Sequence, residues 1–239
     1  MGHKSDKKLI IDSKRLDGRA LNELREIDMK IGVVSTATGS ALVRFGNTVA
    51  LAAVRGPREL FPRFLQQSES GILRVRYNMA PFSVPDRKSP GPDRRSTEIS
   101  KVIRSALEEV IFLEEFPKAT IDVFLEILQA DGSTRVTAIN AASLALASAG
   151  IPMRDLVAAC SVGKVDGHLV ADLNGIEDNF GETDMAVAMQ GERKMATLLQ
   201  MDGILTNEEF EKLLNLAKEN CTKIYELQKK TLKENYKRS

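Results

Sequence analysis

The stretch Gln129-Ala130-Asp131-Gly132-Ser133-Thr134-Arg135 gathers residue types suited to holding an anion. Gly132 permits a bend that a side chain would obstruct. Ser133 and Thr134 offer hydroxyls and amides, and Arg135 adds a planar fork of donors. An apolar run precedes the stretch and an Ala-rich segment follows it, so it reads as a strand-to-helix turn. Amides at a helix start have no acceptor within the helix and favour a phosphate-sized anion. A cation in the first helical turn opposes the helix dipole, so Arg135 calls for a compensating negative charge, from Asp131 or from a bound phosphate. Ordinary capping by Asp131 or Ser133 is the competing reading.

A second basic element, Asp93-Arg94-Arg95-Ser96, also precedes a helical pattern, with Ser96 the expected N-cap. It closes a Pro-rich loop, residues 83–95, that stays positive through Arg87, Lys88, Arg94 and Arg95. Arginines at a helix start suit phosphodiester contacts. Arg74 and Arg76 share one face of a strand and extend the basic stripe, although a solvent face explains them equally well. Two carboxylates follow in an acidic segment, residues 172–184. Asp178 and Asp184 are separated by Gly181, and Asp184 stands before an apolar strand where a charge is usually avoided. A turn between them can bring both carboxylates to one end of a sheet, and such a pair suits Mg2+ (or Mn2+), which keeps most of its waters.

Several chemistries are excluded by composition. His3 and His168 are the only histidines, one near the N-terminus and one in a turn, which argues against a His-based triad or zinc site. No GxxxxGK loop and no GxGxxG is present. The nucleophile is therefore a bound phosphate or a water. The net charge is +1, so any nucleic-acid site must be local. Cys160 and Cys221 lie in apolar surroundings without CxxC spacing, which points to reduced core thiols and a cytoplasmic location. The polar start, Met1 to Lys8, has no apolar segment typical of a signal peptide.

The elements that must position these residues follow a strand-then-helix rhythm, repeated. Strands are expected within 27–55, at Leu73–Met79 and at Ala119–Leu128, with a long helix from Ser96 through Val110 and Ile111 and an Ala-rich helix ending before Gly150 and Pro152. Beyond the break come a hairpin turning at Asp166-Gly167, strands at Thr183–Met189 and Met195–Met201, and a C-terminal helix opened by Thr206 and Glu209. Residues 174–182 read as loop. The class is α+β, with mixed β-sheets packed with α-helices in two β-rich halves, 14–149 and 152–228, and flexible tails at 1–13 and 229–239.

With these residues laid out, the chain resembles the ribonuclease PH family of phosphorolytic 3′→5′ exoribonucleases over about residues 14–228. The resemblance rests on Lys14-Arg15-Leu16-Asp17-Gly18-Arg19, on Gly39-Ser40-Ala41 with Gly46-Asn47-Thr48, on Ala130 to Arg135, and on Glu177-Asp178 with Asp184-Met185. Within the family, Arg74 to Ser83, Ser100 to Arg104, Glu126 to Asp131 and Ser148 to Leu156 are most similar to the catalytic branch found in archaeal exosomes. The resemblance implies a ribonuclease PH fold and phosphate-dependent degradation of single-stranded RNA to nucleoside diphosphates, with tailing in reverse. It implies that Gly132, Ser133, Thr134 and Arg135 bind phosphate, that Arg94 and Arg95 grip RNA, and that Asp178 and Asp184 hold the metal or supply acid catalysis. It places Arg63 at the narrow opening of a hexameric ring built with an inactive paralogous subunit and capped by S1- or KH-type RNA-binding proteins. A homohexamer trimming transfer RNA and a non-catalytic RNA-binding ring subunit are the alternatives. The family commonly carries a second glycine where this chain has Ser133, so a positive φ there would strain it.

Overall fold

The structure is a computed structural model that describes residues 8–11 and 14–238. A short ribbon, β1 (Ile10–Ile11) and β2 (Lys14–Arg15), precedes the main sheets. The first half then supplies β3 (Ile27–Ile31), β4 (Gly39–Phe45), β5 (Thr48–Glu59), β6 (Ile72–Met79), α1 (Arg94–Glu108), β7 (Ala119–Gln129) and α2 (Thr134–Ser148). The second supplies β8 (Val157–Val165), β9 (His168–Ala171), α3 (Gly175–Phe180), β10 (Thr183–Gln190), β11 (Ala196–Gly203) and α4 (Asn207–Arg238). The fold is α+β. A five-stranded sheet runs β3-β4-β5-β7-β6, antiparallel except for the parallel β6–β7 pair. A four-stranded antiparallel sheet runs β11-β10-β8-β9.

The Ala-rich composition of α2 decides how the sheets meet. Its residues are apolar or small on every side, the pattern of a helix buried all round. It packs on β4 and β5 of one sheet and on β8 of the other, and twelve of its residues are buried. Small side chains let both sheets approach the helix closely. The first turn of α2 therefore emerges at the seam between the halves.

That seam is held by buried ions. Arg15 reaches Glu177 through Nε–Oε1 at 2.7 Å and through a second Nη2–Oε2 contact, and Nη2 also donates to Asp172 O. Arg25 forks onto Asp172, with Nε to Oδ2 at 2.9 Å and Nη2 to Oδ1 at 2.7 Å, while Nη1 donates to Asp131 O at 2.6 Å. Arg15, Arg25, Asp172 and Glu177 are all buried. Each charge is matched, which is the condition for tolerating ions in a core.

Four expectations need correction. The N-cap of α1 is Asp93, not Ser96; Asp93 accepts from Ser96 N, and Ser96 Oγ accepts in return from Asp93 N. The helix ends at Glu108, so Val110 and Ile111 are buried beyond it, and Ile111 forms a bridge to Met153. Residues 175–180 are the helix α3 rather than loop, because Asn174 caps Ile176 N and Glu177 N while Glu177 closes a capping box. The expected tail from Lys229 continues α4 to Arg238, because Gln228 and Leu232 carry the packed stripe onward. At the other end, residues 1–7, 12 and 13, including His3, lie outside the described residues; Leu9 and Ile10 are buried, and their amides donate to Asp166 Oδ2.

Removing one ion from the seam tests its role. Asp172→Ala leaves Arg25 buried without its partner and is expected to cost about 3–5 kcal/mol in urea unfolding. A loss under about 1 kcal/mol would show that the seam does not depend on this pair.

Candidate active site

The turn before α2 is shaped by its neighbours. Gly132 adopts φ +70, and a Cβ there would fall 2.5 Å from the carbonyl carbon of Asn174, so only glycine fits. Thr48 Oγ1 accepts from Asp131 N and donates to Gly132 O. Asp131 Oδ1 accepts from Gly175 N at 2.9 Å, which ties the turn to the start of α3. Neither Asp131 nor Ser133 caps α2, contrary to the competing reading of the turn: Asp131 is spent on α3, and Ser133 has no capping bond. No acidic residue stands in the first turn. The amides at the start of α2 therefore have no capping side-chain acceptor, beside a cationic residue.

Ser133 occupies the left-handed region at φ 55. That conformation costs a non-glycine residue about 1–2 kcal/mol. Its hydroxyl offsets the cost by donating to Leu173 O at 2.6 Å, with Ser161 Oγ also at 2.6 Å. The Ser133 side chain therefore fastens the turn to the second half, leaving only its backbone for a ligand.

One cavity of about 290 Å3 gathers the candidates. Arg95, Ser133, Thr134, Arg135, Asp178 and Asp184 all line it. Arg95 comes from the first turn of α1, Asp178 from α3 and Asp184 from the start of β10. Arg135 Nε is buried without a hydrogen-bond partner, and its Nη2 lies 3.8 Å from Glu98 Oε1. Burial pushes the Asp178 carboxyl up, against the pull of Arg95, Arg135 and Arg25. Burial also pushes Asp184 up, reinforced by the charges of Asp178 and Asp202, with Arg135 opposing.

Asp202 and Gln200 line the same cavity and were not legible as site residues in the sequence. Register explains their presence. Asp202 on β11 stands directly opposite Asp184 on β10, and Gln200 stands opposite Ala186. Like charges directly opposed across strands are destabilising and call for a cation or a proton. Among the described residues, no group of three or more His, Cys, Asp or Glu side chains is placed to hold a metal ion. Asp178 and Asp184 as an unpaired, mutually repelling pair still fit a Mg2+-sized ion that brings its own water ligands.

The remaining basic residues lie elsewhere. Arg94 begins α1 but does not line the cavity. Arg74 is paired with Asp122 at 2.6 Å, its parallel-register neighbour, and with Arg76 it lines a separate cleft beside Arg58. Arg63 sits in a short 3-10 turn, 3.4 Å from Glu59, also outside the cavity.

Residues 23–152 match the family model for the 3′ exoribonuclease family, domain 1, and residues 155–220 match domain 2. The chain is 56% identical over 237 residues to the exosome complex component Rrp41 of Thermococcus gammatolerans, covering 99% of this chain and 95% of that protein. It is 59% identical over 225 residues to Rrp41 of Pyrococcus furiosus, covering 94% and 90%. Among solved structures, rice Rrp46 superposes with a TM-score of 0.82 at 24% identity, covering 92% of this chain and all of that one. A chain of the Archaeoglobus fulgidus exosome with RNA bound to the active site gives 0.79 at 24%, covering 90% and 92%.

The raised carboxyls make a signed prediction. A carboxyl whose folded pKa lies above its unfolded value stabilises the fold below the unfolded pKa and loses that contribution as pH rises through the folded one. In metal-free buffer, Asp184→Asn should therefore raise the melting temperature at neutral pH, and the gain should vanish below about pH 4. A gain of equal size at both pH values would show that the Asp184 charge is not under repulsion.

Proposed function

This chain belongs to the 3′ exoribonuclease (ribonuclease PH) family, and we propose that its cavity degrades single-stranded RNA from the 3′ end with inorganic phosphate as the attacking group. It acts as the exoribonuclease subunit of an archaeal exosome, a reading supported by relatives named exosome complex component Rrp41 at 54 to 59% identity over nearly the whole chain. The observation that carries the chemistry is the single cavity lined by an uncapped helix start, two arginines and two raised carboxylates. Such a cavity has room for two anions, a phosphate and an RNA linkage, but contains no side-chain nucleophile with an activating base. The homohexameric and non-catalytic alternatives have no observation in their favour.

Phosphate rests against the uncapped amides at the start of α2, the Thr134 hydroxyl and Arg135. One of its oxygens bonds to the phosphorus of the last internucleotide linkage. The bond from that phosphorus to the 3′ oxygen of the preceding residue breaks, and this oxygen takes up a proton. The products are a nucleoside diphosphate and an RNA one residue shorter, so the reaction is a transfer to phosphate and not a hydrolysis. Arg95 and Arg135 stabilise charge gathering on the non-bridging oxygens. Asp178 and Asp184 are the residues that would hold Mg2+ or Mn2+, which when bound adds positive charge beside the scissile linkage. In the alternative role for Asp184, its raised carboxyl gives the proton to the leaving oxygen.

The active assembly is a hexameric ring shared with a paralogous subunit, carrying RNA-binding cap proteins, with Arg63, Arg74, Arg76 and Arg94 guiding RNA outside the cavity. Buried thiols at Cys160 and Cys221 suit a reducing, cytoplasmic setting. Among the described residues, no helix is long and apolar enough to cross a membrane.

The assay is shortening of oligoadenylate by the purified chain, with and without the paralogous subunit, in the presence and absence of phosphate. Diphosphate release that requires phosphate is expected; monophosphate release in its absence would refute the reading. Asp184→Asn should abolish turnover while RNA binding persists, and parallel loss of both would remove Asp184 from the chemistry. Arg95→Ala should weaken RNA binding and flatten its logarithmic salt dependence by about 0.7, the share of one phosphate contact on a single strand. An unchanged slope would take Arg95 off the RNA path.

A further inference from the structure

Gln200 is a neutral polar side chain beside the charged residues of the cavity, which Ser133, Thr134, Ser161 and Asn179 also line. Its place is fixed by strand register: opposite Ala186, and two residues from Asp202, which faces Asp184. Alternation along β10 and β11 puts Asp184, Ala186, Gln200 and Asp202 on one sheet face, and all four line the cavity. The small side chain of Ala186 leaves Gln200 room over that face.

The orientation of the amide is also fixed. Gln200 Nε2 donates to Glu98 Oε1 at 3.0 Å. The opposite assignment would set the carbonyl oxygen against the Glu98 carboxylate, so Nε2 must be the atom facing Glu98. The carbonyl oxygen, Oε1, is then the free end, and it is buried with no hydrogen-bond partner. A buried unpaired acceptor is rare in a native fold and needs a donor to satisfy it. An RNA phosphodiester supplies none at neutral pH; inorganic phosphate keeps a P–OH, but in the proposed function it rests at the start of α2. The donors an RNA end carries are ribose hydroxyls and base amino groups. A base held in place needs a stacking surface, and no aromatic side chain lines this cavity.

We propose that Gln200 is a specificity-determining residue whose Oε1 accepts a hydrogen bond from a ribose 2′-hydroxyl in one of the last two residues of the bound strand. Glu98 acts behind it as a positioning residue, holding the amide so that its oxygen is presented, and standing beside Arg135 at the same time. The 2′-hydroxyl is the group that separates RNA from DNA. A site whose acceptor is left unpaired by the deoxy strand discriminates against it. This assignment rests on the functional reading above.

The test compares three oligoadenylates: all-ribose, 2′-deoxy at the terminal residue only, and 2′-deoxy at the penultimate residue only. Each is given with inorganic phosphate to the assembly that is active in the phosphorolysis assay. The wild-type protein should act on one of the two deoxy strands about tenfold less efficiently than on the all-ribose strand, the worth of one hydrogen bond. Gln200→Leu should bring that ratio close to one, and Gln200→Met, unbranched like glutamine, should do the same. A residue that merely braces β11 would lower rates on all three strands in common and leave the ratio intact. Equal efficiency of the wild type on all three strands would overturn the assignment without touching the functional reading. So would a ratio unchanged in both variants. Absence of any diphosphate from the all-ribose strand would instead overturn the functional reading itself.

Discussion

The site depends on the matched ions buried between the two halves. Arg25 clasps the Asp172 carboxylate with two donors and the Asp131 carbonyl with a third. Arg15 does the same for Glu177 and the backbone at Asp172. Asp131 belongs to the turn before α2, and Glu177 is the neighbour of Asp178. Two arginines from the N-terminal region thus fix both walls of one cavity relative to each other. A hydrophobic contact could hold the halves together with equal strength, but it is non-directional and would not set the angle between them. Forked, fully paired ions set both distance and orientation.

Within that frame the cavity is electrostatically unfinished. Arg135 has a buried nitrogen without an acceptor, the start of α2 lacks a cap, and Asp184 faces Asp202 across a strand pair while Asp178 adds to the repulsion. A fold selected for stability alone would have paired these groups with one another. They are kept apart by the walls that carry them, so each awaits a charge of opposite sign from outside. In the proposed function, phosphate groups answer the first set, and a divalent ion or a proton answers the second. The strain at Ser133 fits the same pattern, since its hydroxyl bonds secure a turn whose backbone has to be presented in one conformation.

Much of this was readable in the residues. The strands alternate as pleated, half-buried elements do, and the hairpin at Asp166-Gly167 adopts the two positive φ values that such a turn requires. The turn before α2 was legible because Gly132, Thr134 and Arg135 adjoin in sequence, and Asp184 because a charge stood before an apolar strand. The six residues of α3 were too few to show a helical period, yet Asn174 and Glu177 carried its capping box. Gln200 and Asp202 could not be seen in advance. Their alternation reads as an ordinary solvent face, and only the pairing of β11 with β10 turns that face toward Asp184. The partner of Arg74 was hidden for the same reason, since Asp122 lies far along the chain and is brought beside it by the parallel register of β6 and β7.

An attacking inorganic phosphate lodged before α2 must leave its own atoms in the released nucleotide. Isotopically labelled inorganic phosphate is supplied with unlabelled oligoadenylate, and the released nucleotide is analysed position by position. The label is expected in the β-phosphoryl group of a nucleoside diphosphate and nowhere else. Release of unlabelled nucleoside monophosphate carrying an oxygen from water would contradict it.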